Sequence, residues 1–148
     1  MTTGTDSLTE RNRAMVQEMY AAVTERADIQ EFMAHVSDDV VVHEPPYLPY
    51  GGDYAGKEAF LALFGKVAAA LDTRTITLES VIADGDKVMA FVRACTKPTG
   101  EIARLVEEST IRDGKVVDIR VYYFDTGCLL GVSPSTASVP TVSAERPY

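Results

Sequence analysis

The chain is 148 residues long, a length that suits one compact domain. With 46% hydrophobic and 24% charged residues it has an ordinary globular balance, which argues against wholesale disorder and against a membrane-embedded chain. Its 22 acidic against 14 basic residues give a net charge of −8, and no Lys/Arg cluster interrupts that acidity, so nucleic acid and anionic lipid are poor partners.

Residues Met1–Ser7 are polar and expected to fray, and the first fifteen residues hold no apolar core of a secretory signal. No apolar run approaches the roughly twenty residues needed to span a bilayer. Helical periodicity begins with Met15, Val16, Met19, Tyr20 and Val23, with Ser7 or Thr9 as the expected cap. A second helix is expected from Asp28, an N-cap with Glu31 three residues on, burying Ile29, Phe32, Met33 and Val36. The β-branched run Val40–His43 reads as a strand that Pro45-Pro46 ends, because proline donates no ladder hydrogen bond.

Tyr47–Tyr54 reads as a loop by its proline and Gly-Gly, a turn signal, yet it carries Tyr47, Tyr50 and Tyr54. A third helix over Gly56–Leu71 buries Phe60, Leu61, Phe64, Val67, Ala68 and Leu71. From Thr73 the period becomes two. The expected strands are 73–83, 87–97, 101–111 and 115–124, with Asp84-Gly85-Asp86, Pro98-Thr99-Gly100 and Arg112-Asp113-Gly114 as turns. Three helices, one early strand and a four-stranded antiparallel meander make an α+β plan over residues 1–130, followed by a Ser/Thr/Pro-rich tail over 131–148. Cys95 and Cys128 are too few and too far apart for a zinc ribbon or a disulfide framework, so both are expected reduced, in a cytoplasmic protein.

The order of elements resembles the superfamily of nuclear transport factor two, ketosteroid isomerase and SnoaL-like polyketide cyclases. The local matches are Val42-His43-Glu44-Pro45-Pro46-Tyr47, then Pro49-Tyr50-Gly51-Gly52-Asp53-Tyr54-Ala55-Gly56-Lys57-Glu58-Ala59, and the closing Ile119–Asp125. The resemblance implies a cone: three N-terminal helices packed on a curved, mostly antiparallel sheet, and a homodimer joined through the sheet's outer face. Apolar residues on both faces of 87–97 agree with a sheet covered on both sides.

By the same resemblance Glu44 stands where the isomerases keep a proton-shuttling carboxylate, Tyr20 where they keep an oxyanion-donating phenol, and Glu107 where they keep a protonated acid, there an Asp. A carboxylate that abstracts a proton beside a carbonyl, with a phenol and a neutral acid on the enolate oxygen, is coherent chemistry. Alternation along the strand makes Glu107, rather than Glu108, the inward acid. His43 is a further acid–base candidate at the pocket rim, although alternation sends it and Glu44 to opposite faces unless the prolines twist the strand end. Tyr47, Tyr50 and Tyr54 are expected to line a mouth, or else to pack it shut, with Phe64 and Arg93 also binding substrate. Limonene-type epoxide hydrolases resemble the same plan, but their arginine–aspartate pair becomes Arg93-Ala94-Cys95 here.

His35 and His43 lie on different elements with no metal-ligand spacing, and neither a phosphate-binding glycine motif nor a serine-nucleophile motif occurs. The expectation is therefore an enzyme without metal or cofactor, cyclising or isomerising an apolar oxygenated small molecule such as a polyketide-type intermediate. Two alternatives stay open: an epoxide-opening cyclase or hydrolase, and a non-catalytic binding or assembly module whose polar interior would be mutually satisfied.

Overall fold

The computed structural model describes residues 4–131, with side chains from Ser7 onward; the tail from 132 to 148 lies outside the described residues. Helix α1 spans Gly4–Thr24 and buries Val16, Met19 and Tyr20 on one stripe. It starts earlier than the sequence suggests, because Ser7 and Thr9 are helical rather than caps. The Thr9 hydroxyl instead accepts a hydrogen bond from the Gly85 amide at 2.9 Å, and buried Asn12 donates to the Gly85 carbonyl at 2.9 Å, tying the helix to a hairpin.

Helix α2, Ile29–Ala34, has the expected Asp28 cap, whose carboxylate accepts from the Glu31 amide at 3.0 Å. It buries Phe32 and Met33 but stops before Val36, which opens strand β1, Val36–Glu44. Strand β2, Gly52–Ala55, takes up the end of the segment expected to be a loop and pairs antiparallel with β1. Helix α3, Lys57–Ala70, buries Phe60 and Leu63 with Phe64 and Val67 beside them, while Leu61 turns out to solvent. The buried stripe therefore follows the three- and four-residue steps 60, 63, 64 and 67.

Strands β3 (Leu71–Asp84), β4 (Lys87–Thr96), β5 (Ile102–Arg112) and β6 (Lys115–Tyr123) form the meander, and a short 3₁₀ turn, Gly127–Leu129, follows. The β5–β6 hairpin turns on Asp113 and Gly114, both at positive φ, as a two-residue type I′ turn requires. All six strands make one sheet in the order β2-β1-β6-β5-β4-β3, antiparallel except for β1 against β6. Register shifts between Asp72 and Thr77 and between Leu78 and Ser80 bend β3, and such bulges are how a sheet curls around its helices. Among the described residues no helix is long and apolar enough to cross a membrane.

The core lies between the helices and the inner face of the sheet. Val40, Val42, Val88, Ala90, Val92, Leu105, Ile119 and Val121 supply that face, every second residue on their strands. On the outer face Met89, Phe91 and Val106 keep partial exposure and Tyr122 is about half exposed.

Candidate active site

Strand register places two acids in one row of the inner face. Glu107 on β5 pairs with Val121 on β6, and the β1–β6 pairing of Val42 with Ile119 brings Glu44, two residues on, beside Val121. The carboxyl groups thus flank Val121, one strand to either side. From above, α1 presents Tyr20, whose hydroxyl donates to Glu107 Oε2. Phe32 from α2 and Phe60 and Phe64 from α3 complete an apolar roof.

These groups enclose a cavity of about 110 Å³. Its polar lining is confined to Tyr20, Glu44, Thr73, Glu107 and Tyr123; among the described residues no Lys, Arg or His reaches it. Among the described lining residues Thr73 alone is exposed, so the cavity opens at the start of β3.

Glu44 is 8% exposed, and its Oε2 is buried without a hydrogen-bond partner among the described residues. Burial, and then the charge of Glu107, push its carboxyl up to about 8. Burial also raises Glu107, against the hydrogen bond from Tyr20, and burial followed by the Glu107 charge raises Tyr20. Behind Glu44, the hydroxyls of Tyr50 and Tyr123 meet at 2.9 Å. Burial pushes Tyr50 up to about 12, opposed by that hydrogen bond, and burial with the Glu44 charge raises Tyr123 further.

Of the residues singled out by sequence, Tyr20, Glu44, Phe64 and Glu107 come together in this cavity. His43 does not. Strand β1 alternates regularly from Val40 through Glu44, so His43 points out of the opposite face, its Nδ1 2.8 Å from Asp53 and its Nε2 2.8 Å from Asp118. Both bonds raise the imidazole above its ordinary value. Arg93 is likewise exposed on the outer side, because Val92 and Ala94 take the inward positions, and it meets neither Glu107 nor the cavity.

The tyrosine loop divides its members. Tyr47 is 86% exposed, Tyr50 is buried behind Glu44, and Tyr54 donates to the Tyr50 carbonyl at 2.8 Å with Lys66 over its ring. None of the three lines the cavity. Buried Leu48 and Gly51 close the turn: the Gly51 amide bonds the Leu48 carbonyl at 2.9 Å, and a Cβ on Gly51 would collide with the Pro45 and Pro46 backbone. Gly51 is thus a close-packing requirement as well as a turn signal. Tyr123 was not among the residues singled out by sequence, although its parity with Ile119 and Val121 marks it as inward-facing.

The family model of the SnoaL-like domain matches residues 16–119. The chain belongs to the SnoaL-like family. Solved structures carry the same fold as this SnoaL-like domain. An NTF2-like protein from Burkholderia xenovorans LB400 is 26% identical, with 85% of this chain and 98% of that one covered at a TM-score of 0.67. Bal32a from a soil-derived mobile gene cassette is 24% identical over 79% of this chain and 92% of its own, at 0.69. TerC, co-crystallised with polyporic acid, is 22% identical over 82% and 97%, also at 0.69. Among curated proteins none matches the sequence.

Proposed function

We propose that this SnoaL-like protein is a general acid–base enzyme, working without a cofactor, that isomerises or cyclises an apolar oxygenated small molecule. The observation that carries this reading is Glu44: a carboxyl buried in a cavity wall, with an unpartnered oxygen, across one strand from the Tyr20–Glu107 pair. Buried polar groups are otherwise paired, and a free one facing a cavity is placed to meet a ligand. In the forward step ionised Glu44 takes a proton from the carbon beside a carbonyl. The C–H electron pair moves into the enolate, whose oxygen accepts one hydrogen bond from the protonated Glu107 carboxyl and one from the Tyr20 hydroxyl, which turns from Glu107 to the ligand. Returning the proton to another carbon completes an isomerisation; attack of the enolate carbon on a second carbonyl closes a ring.

Incubation in deuterium oxide with cyclic enones and β-dicarbonyl compounds tests this directly. Deuterium uptake by the substrate is expected, with a loss on the order of 10²–10⁴-fold in Glu44→Gln, the usual size of a general-base contribution. Uptake that survives the substitution, or none from a compound that binds, would refute the reading. Because Glu44 acts ionised, the rate rises with pH through about 8.

Epoxide opening is a second reading, favoured by the same elevated carboxyl, which at neutral pH mostly holds a proton that could be given to an epoxide oxygen. Its rate would fall through about 8 instead. The free Oε2 of Glu44 and the cavity before it weigh against a purely structural module. The partly exposed outer-face residues Phe91, Val106 and Tyr122, with Phe124 90% exposed, support a homodimer, to be checked by light scattering.

A further inference from the structure

The lining of the cavity constrains its ligand more tightly than the reaction class does. The geometry points to an uncharged ligand about the size of one six-membered ring, bearing a hydrogen-bonding oxygen for the Tyr20–Glu107 pair, with anionic and polycyclic relatives turned away. This rests on the acid–base reading of the same cavity and adds to it a substrate class defined by charge and size.

Charge comes first. Two carboxyl groups face the interior, and among the described residues no basic side chain lines it to answer a ligand carboxylate or phosphate. Basic side chains around the cavity, among the described residues, are engaged elsewhere: His43 is held between Asp53 and Asp118 on the far face of the sheet, Arg74, next to Thr73, is paired with Asp72, and Lys66 stands over Tyr54. An anion brought in would lose its water and find no cation to answer its charge, which a protein interior penalises heavily. A neutral carbonyl meets hydroxyls instead.

Size follows from the volume. About 110 Å³ is somewhat less than the roughly 150 Å³ of an apolar cavity that admits benzene, so one ring is the most the space holds. The roof does not yield freely. Phe32 meets Phe60 and Phe64 edge to face, with ring centroids 6.0 and 5.4 Å apart, and Phe60 stacks on Phe64 at 4.9 Å. Each ring braces another, and widening the cavity means breaking these contacts. Their flat faces suit a ring better than an extended chain.

The test measures binding, independently of turnover, by isothermal titration at pH 7. The panel is cyclohex-2-enone, cyclohexanecarboxylate, cyclohexylamine, a bicyclic decalone and a four-ring steroid ketone. The enone is expected to saturate one site, with the carboxylate weaker by on the order of a hundredfold and the decalone and steroid ketone without saturable binding. Phe64→Ala, confirmed folded by circular dichroism, is expected to gain decalone binding. Carboxylate binding as tight as the enone, an amine that binds more tightly than the enone, a polycyclic ketone that binds the unaltered protein as well as the enone, or no binding by any compound would each overturn the proposal. Failure of the catalytic reading looks different: the enone would bind, in the unaltered protein and in Glu44→Gln alike, while neither exchanged deuterium.

Discussion

Glu44 and His43 are neighbours in sequence and opposites in environment. Glu44 faces a cavity with another acid across one strand and, among the described residues, no base and no partner for its Oε2, and burial drives its carboxyl towards the neutral form. His43 faces outward between two aspartates, and its two hydrogen bonds favour the charged form. One residue of strand alternation separates a wall that excludes charge from an edge that stabilises it. Ionisable groups on the inner side are therefore held at a cost in stability, and those on the outer side contribute to it.

The largest expected effect on stability tests the inner half of that contrast. Glu44 holds a proton in the folded state between its ordinary 4.5 and about 8, where the unfolded chain has lost it, so folding stability falls as pH rises across that window. Glu44→Gln removes the dependence. The variant is expected to match the parent near pH 4 and to exceed it by about 2–4 kcal/mol above pH 8, since a tenfold change in proton affinity is worth about 1.4 kcal/mol at most. Urea unfolding across that pH range measures it. A difference that does not change with pH would mean that Glu44 is not held neutral by the fold, and the contrast would collapse.

Next in size, Tyr20→Phe keeps the ring, which packs edge-on to Phe32, and deletes the donor to Glu107. A buried acceptor left without its partner costs about 1–3 kcal/mol. The Tyr20 hydrogen bond is what opposes burial at Glu107, so the Glu107 carboxyl is expected to titrate higher in the variant. Carbon-13 NMR of the labelled carboxyl reads the direction, and a lower value would show that the bond does not favour the ionised form.

Most of this inner wall was legible in the sequence, because strand alternation is a strict rule wherever one face is buried. It selected Glu107 over Glu108, set Glu44 against His43, and would equally have selected Tyr123. Pairings between distant segments were not legible. Strand β2 has four residues, two of them small, and exists because β1 offers it a ladder from Val41 to Glu44. The parallel contact of β1 with β6 joins segments more than seventy residues apart, and nothing local announces it. The tyrosine loop misled for a related reason: its apolar content reflects packing behind Glu44 and around Gly51, which depends on backbone approach rather than on pattern. Arg93 has the opposite parity to inward-facing Val92 and Ala94, so its outward course could have been read from the same rule that placed Glu107.

The smallest effect concerns the outer edge, where His43 links three strands: its own, β2 through Asp53 and β6 through Asp118. Arg120 stands opposite His43 in the register and is exposed, so the two aspartates are the groups that set its titration. A histidine whose folded value is raised contributes stability that is fully present below its ordinary 6.5 and is lost as pH rises through the raised folded value. His43→Asn is therefore expected to lower stability by about 1 kcal/mol at pH 5.5, discounted because Asp53 is largely solvent-exposed, and by less at pH 9. In thermal unfolding that is a drop of about 2–4 °C, shrinking with alkalinity. The pH trend is opposite in sense to that of Glu44→Gln, whose difference from the parent grows with pH. A double variant should show both trends at their separate windows, since the two side chains leave opposite faces of one strand and share no partner. If the His43→Asn loss were instead constant across pH, the imidazole would be acting as a neutral hydrogen-bonding spacer, and the outer edge would stabilise no charge.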